Sequence, residues 1–122
     1  MQFLSAPQPA PSHALSLTLV PLLLAALLMP QAQADDLKLV IDVQEHHFTP
    51  AELHVPADTR IQLTVRNQDT DKEEFESYDL NREKVIPASS SAVIFFGPLA
   101  PGRYSFFGDY HRATAQGAVV VE

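Results

Sequence analysis

GRYSFFGDYHRATAQGAVVV, from Gly102 to Val121, is the stretch whose reading decides the fold. Tyr104 and Phe106 on one side, and Val119 and Val121 on the other, recur at every second position around a short polar turn. Successive side chains of an extended segment point to opposite faces, so this spacing predicts two strands of a half-buried sheet joined by the segment Gly108 to Gly117. That turn carries Asp109 and His111, one carboxylate and one imidazole.

Working outward, the same period-two signal repeats. Leu37, Leu39, Ile41 and Val43 alternate with Lys38, Val40, Asp42 and Gln44 up to Glu45-His46-His47. Leu53 and Val55 follow Pro50, and Ile61, Leu63 and Val65 then alternate with polar partners. Asn67 to Lys72 is a loop of turn formers, Glu73 to Leu80 an irregular strand anchored by Phe75, and Asn81 to Lys84 a charged, exposed connection. Ser91 to Phe96 lies between the turns at Pro87–Ser90 and Gly97–Gly102. About seven short strands bounded by Pro, Gly, Asn and Asp predict an all-β, Greek-key β-sandwich.

The first 34 residues read differently. Ala14 to Met29 is an apolar run closed by Pro30 and Ala32-Gln33-Ala34, a small-x-small cleavage pattern. The run is shorter than the roughly 20 residues that span a bilayer, and Pro21 interrupts it. Residues 1–34 are therefore expected to be a signal peptide and residues 35–122 the exported domain, periplasmic and without stable membrane insertion once cleaved after Ala34. The leader contains no Lys or Arg, so its amino-terminal region is only weakly positive.

All Lys, Arg, Asp and Glu lie beyond residue 34, and the formal net charge of −7 belongs to the domain itself. An acidic domain repels phosphate backbones, which argues against nucleic acid and in favour of cations or a basic protein surface as partners. There is no cysteine, and both methionines, Met1 and Met29, fall in the leader. Nothing in the domain then selects Cu(I); carboxylates and imidazoles suit Fe, Mn, Zn or Cu(II).

Glu74 and Glu76 flank Phe75, so their carboxylates share one face while the phenyl ring turns to the core. Like charges on one face repel unless a cation or solvent lies between them, so the pair reads either as metal ligands or as a solvated acidic edge. His46 and His47 are weaker candidates, because neighbours in an extended segment face opposite ways and the bland reading is a polar strand end. Asp69, Asp71 and Glu73 have the spacing of a calcium loop but lack its glycine, its distal glutamate and flanking helices. No serine or threonine sits in a hydrolase motif, and no Gly-rich phosphate loop is present.

The final turn resembles the ligand loop of the cupredoxins, in which Cys, a short gap, His, a short gap and Met precede a Gly that opens the last strand. Gly108 stands at the cysteine position, His111 at the histidine, Ala115 at the methionine, and Gly117 opens the strand. The upstream histidine of that pattern is replaced by Glu74 or its neighbour. Without a thiolate there is no blue-copper centre. More narrowly, EEFES (Glu73–Ser77), LNREK (Leu80–Lys84), GPLAPGRY (Gly97–Tyr104) and FFGDYH (Phe106–His111) resemble the EfeO-type cupredoxin-like domain of bacterial periplasmic iron-transport systems.

That resemblance implies a metal site of Glu74, Glu76, Asp109 and His111, holding iron or copper. It implies an iron permease or another periplasmic iron-binding protein as partner, and a role in binding ferrous iron or, as a ferroxidase-type enzyme, in oxidising it. Members that carry cysteine in the final turn and near the first loop have Gly108 and Phe48 as counterparts here, so a cysteine-dependent redox site does not transfer. The alternative is a metal-free interaction module that docks on a transporter or periplasmic partner through its acidic edge.

Overall fold

A computed structural model describes residues 2–14, 30 and 34–122. The chain divides into two units, Met1–Ala32 and Gln33–Glu122. In the first, residues 2–14 are exposed and carry no regular secondary structure. The expected apolar leader and its cleavage pattern fall largely on residues 15–29 and 31–33, outside the described residues.

The second unit has nine strands: β1 (Leu37–Gln44), β2 (His47–Thr49), β3 (Glu52–Val55), β4 (Ile61–Asn67), β5 (Glu73–Ser77), β6 (Arg82–Ile86), β7 (Ser91–Phe96), β8 (Gly102–Gly108) and β9 (Gln116–Val121). They form a four-stranded sheet, β2-β1-β4-β7, and a five-stranded sheet, β3-β9-β8-β5-β6. The β1–β4 and β3–β9 pairs are parallel, whereas β4–β7 and β8–β9 are antiparallel. This is the expected all-β sandwich with two strands more than anticipated. The segment read as an exposed charged connection is β6, paired with β5 from Glu73–Ile86 to Ser77–Arg82. The other addition, β2, has three residues, too few for alternation to register.

Alternation explains the core. Ile61, Leu63 and Val65 of β4 face Ile41 and Val43 of β1 and Ile94 and Phe96 of β7 on the inner side, and all are buried. The second sheet contributes Phe75, Phe106, Val119 and Val121. Phe106 stacks on Phe75 with ring centroids 5.0 Å apart and takes Phe48 edge-on at 5.2 Å. Such aromatic contacts add about 0.5–1.5 kcal/mol each beyond the area they bury. Gly117 is the neighbour that leaves room for this cluster, since a Cβ there would stand 2.4 Å from the Phe106 ring.

Candidate metal centre

Three connections meet at one end of the sandwich. The β1–β2 hairpin turns on Glu45 and His46, whose φ values of 50° and 60° are both left-handed. A two-residue hairpin loop demands that conformation, which non-glycine residues adopt at a cost of about 1–2 kcal/mol each. The Asp69 carboxylate offsets part of it by accepting the backbone N–H groups of Glu45, at 2.8 Å, and of His46, at 3.0 Å. The turn carries the His46 ring out of strand alternation and onto His111.

The β4–β5 loop is fixed from beneath by Asn67, only 2% exposed. Its amide donates to the backbone oxygens of Asp71, Ile86 and Pro87, and its side-chain oxygen accepts from Asp69 N. One buried side chain therefore places both Asp69, which braces the hairpin, and Asp71.

His111 ends a 3-10 turn, Asp109–His111, that follows β8. Its ring stacks on His46 with centroids 3.5 Å apart and planes 11° from parallel. The Nε2 atoms of both imidazoles converge on Asp71, His46 at 3.1 Å and His111 at 3.3 Å. The hydrogen bond from His46, then the charge of that ring and of His111, hold the Asp71 carboxyl below its ordinary value of 3.8. His46, Asp71 and His111 can each offer one donor atom within 4.8 Å of the others. Side-chain exposures of 41%, 52% and 21% leave the corner open to an incoming ion.

Behind His111 lies Glu73, 1% exposed. Its Oε2 lies 2.5 Å from His111 Nδ1, while its Oε1 accepts the backbone N–H of Tyr110 at 3.1 Å and of Glu74 at 3.0 Å. The carboxylate fills the space that a side chain at position 108 would need: a Cβ on Gly108 would lie 2.6 Å from Glu73 Cδ and 2.6 Å from Ala115 Cβ. Where the cupredoxin pattern would bring sulfur inward from these two positions, the carboxyl group of Glu73 is buried instead. A blue-copper centre does not fit this interior, whereas an ion taking nitrogen and oxygen donors fits the corner outside it.

The expected ligand set is thus divided. Glu74 and Glu76 face outward from β5, as the spacing around Phe75 implies, but their companion is Glu83 on β6, and the three form a separate carboxylate cluster. His111 belongs with His46 and Asp71, and no group of donors among the described residues unites it with Glu74 and Glu76. The reason is strand phase, since Glu73 turns inward toward His111 and its neighbour Glu74 must turn out. Asp109 pairs with Arg112, and its charge reaches the cluster, where it raises the carboxyls of Glu76 and Glu83. In that cluster Glu76 is raised first by desolvation and then by Glu83, and Glu83 chiefly by its hydrogen bond with Glu74. His47 bonds the Glu45 carbonyl through Nδ1 and stands outside both groups. Asp71 and Glu73, set aside as a failed calcium loop, are the residues that sequence reasoning missed. The inward phase of Phe75 was the available signal for Glu73, because it also turns Glu73 and Ser77 inward.

Comparison with known proteins places this geometry in a family. A Cupredoxin-like domain model matches residues 17–121. The uncharacterized protein RP394 of Rickettsia prowazekii (strain Madrid E) is 45% identical over 85 residues, spanning 70% of this chain and 68% of that protein. Among solved structures, the metal binding domain of the Streptococcus pneumoniae Cu(I) exporting P-type ATPase CopA superposes with a TM-score of 0.64 at 17% identity, covering 75% of this chain and 91% of that one. Auracyanin A, a "blue" copper protein from Chloroflexus aurantiacus, gives 0.63 at 15% identity, with 72% and 100% covered. Amicyanin from Paracoccus versutus gives 0.55 at 17% identity, with 75% and 86% covered. These likenesses are of fold, and with the family match they make the chain a member of the cupredoxin-like domain family.

Proposed function

We propose that this protein is an exported, periplasmic cupredoxin-like metal-binding protein that serves iron acquisition, holding its ion at the His46–Asp71–His111 corner. One observation carries the reading: two imidazoles and one carboxylate, drawn from three separate connections, converge on one exposed point. Two histidines with one carboxylate and open positions suit Fe(II), and the same donors accept Cu(II) or Zn(II). With no cysteine in the chain and no methionine after residue 34, Cu(I) finds no soft donor there. The family resemblance in the motifs around Glu73–Ser77 and Phe106–His111 supports iron as the cargo and an iron permease or iron-binding protein as the partner.

Calorimetric titration with Fe(II) under anaerobic conditions, and with Cu(II) and Zn(II), tests the site. Binding is expected in the wild type and in Glu74→Ala, and its loss in His46→Ala, Asp71→Ala and His111→Ala. Equal affinity in all five proteins would remove the corner as the site. Absence of heat with every ion would favour the second reading, a docking module. Its specific support is the outward carboxylate face of Glu74, Glu76 and Glu83. Acceleration of Fe(II) oxidation in air by catalytic amounts of protein would add a ferroxidase role.

A further inference from the structure

We infer that Glu73 is a positioning residue that fixes which nitrogen of His111 faces the ion; the inference rests on the corner proposed above and deepens it. Glu73 is a buried carboxylate whose two oxygens have different tasks. Oε1 accepts two backbone N–H groups, from Tyr110 and Glu74, which lock the carboxylate plane. Oε2 is left for His111 Nδ1 alone. Asp71 faces the other nitrogen, but at 3.3 Å from Nε2 against 2.5 Å between Glu73 Oε2 and Nδ1; the shorter contact is the one that holds the single proton of a neutral imidazole, on Nδ1, and leaves Nε2 to the corner. A carboxylate behind a ligating imidazole sets its orientation and raises its basicity.

The buried anion also sets how deep an ion can sit. Glu73, against Gly108 and Ala115, fills the interior that the sulfur positions of the cupredoxin pattern border. An ion on Nε2 is held outside this wall, one imidazole width nearer to solvent, beside the half-exposed Asp71 and His46. The geometry thus points to an ion that is reached and replaced from the surface rather than enclosed.

Glu73→Gln separates this role from mere packing. The amide oxygen is retained by the two backbone donors, which leaves the NH2 group facing His111 Nδ1. Nδ1 must then accept, and the proton moves to Nε2, where Asp71 takes it and the ligand position closes. Nitrogen-15 NMR of the metal-free protein at about pH 8, where imidazole is mostly neutral, reads this directly. His111 is expected as the Nδ1–H tautomer in the wild type and as Nε2–H in Glu73→Gln. Zn(II) titration should show Nε2 as the metallated nitrogen and about 10- to 100-fold weaker binding in the variant.

A wild-type proton on Nε2, or Zn(II) on Nδ1, overturns the inference; both are read without any substitution, so a variant that fails to fold does not shield it. An unchanged tautomer with unchanged affinity in a folded Glu73→Gln protein also overturns it. A wild type that binds no Zn(II), Cu(II) or Fe(II) yet keeps its proton on Nδ1 sinks the metal reading and leaves the positioning by Glu73 standing.

Discussion

Glu73 and Glu74 are neighbours in the chain, yet they belong to regions built on opposite principles. The corner of His46, Asp71 and His111 combines two donor types and is propped from behind by buried polar groups, Glu73 and Asn67. The face of Glu74, Glu76 and Glu83 has three groups of one sign, where desolvation and then Glu83 raise the carboxyl of Glu76, and Glu74 raises that of Glu83. Even the Tyr110 hydroxyl is raised there, chiefly by its hydrogen bond with Glu74. A cluster of acids is therefore not equivalent to a site. Support from below fixes the donor atoms relative to one another, whereas repulsion at a surface only describes a charge density.

The sharpest way to break this contrast is to remove the support and leave the donors. Asn67→Ala deprives Asp69 N and three carbonyls of their partner, and should cost about 3 kcal/mol of unfolding free energy in urea while loosening both Asp69 and Asp71. If stability falls and ion affinity does not, the corner does not depend on its foundation. Next is the donor set itself. His111→Ala should weaken Zn(II) binding by about 100-fold, equivalent to about 2.8 kcal/mol, against less than about threefold for Glu76→Ala; comparable losses would merge the two regions.

The interior wall is tested by Gly108→Ala. Its added Cβ meets Glu73 and the Ala115 Cβ at 2.6 Å, so overpacking should lower stability by about 2 kcal/mol. The smallest effect belongs to the acidic face. The carboxyls of Glu76 and Glu83 are raised in the folded protein, so their ionisation disfavours folding once the pH exceeds the raised values, and the penalty disappears as pH falls below the ordinary value of 4.5. Glu83→Gln should accordingly raise Tm slightly at pH 7 and leave it unchanged near pH 3. Asp71 has the opposite sign. Its lowered carboxyl contributes stability above the ordinary value of 3.8 that is lost as pH falls through the folded value, so Asp71→Asn should lower Tm at pH 7 and converge with the wild type in acid.

Much of the sandwich was legible because its inner faces are apolar at every second residue, as in Ile61-Leu63-Val65 and Val119-Val121. β6 was not, because four of its five residues are exposed and Arg82-Glu83-Lys84 reads as a solvated connection. Of the corner, only His111 stood out. His46 ranked low because alternation describes extended backbone, and at Glu45 and His46 φ turns positive, which carries the His46 ring onto His111. Glu73 escaped because an acid at an inward phase has no hydrophobic signature; its burial makes sense only with His111 and two N–H groups in place around it. Asp71 depends on Asn67, a tie that no local pattern reveals.

One consequence of the hairpin at Glu45–His46 reaches beyond ligation. His46 hangs from the four-stranded sheet and His111 from a connection of the five-stranded one, more than half the chain apart in sequence. A cation joined to both would rivet the halves of a sandwich that has no cysteine for a covalent cross-link. Because only the folded form brings the two rings together, the heat resistance of the domain would then gauge the free ion around it.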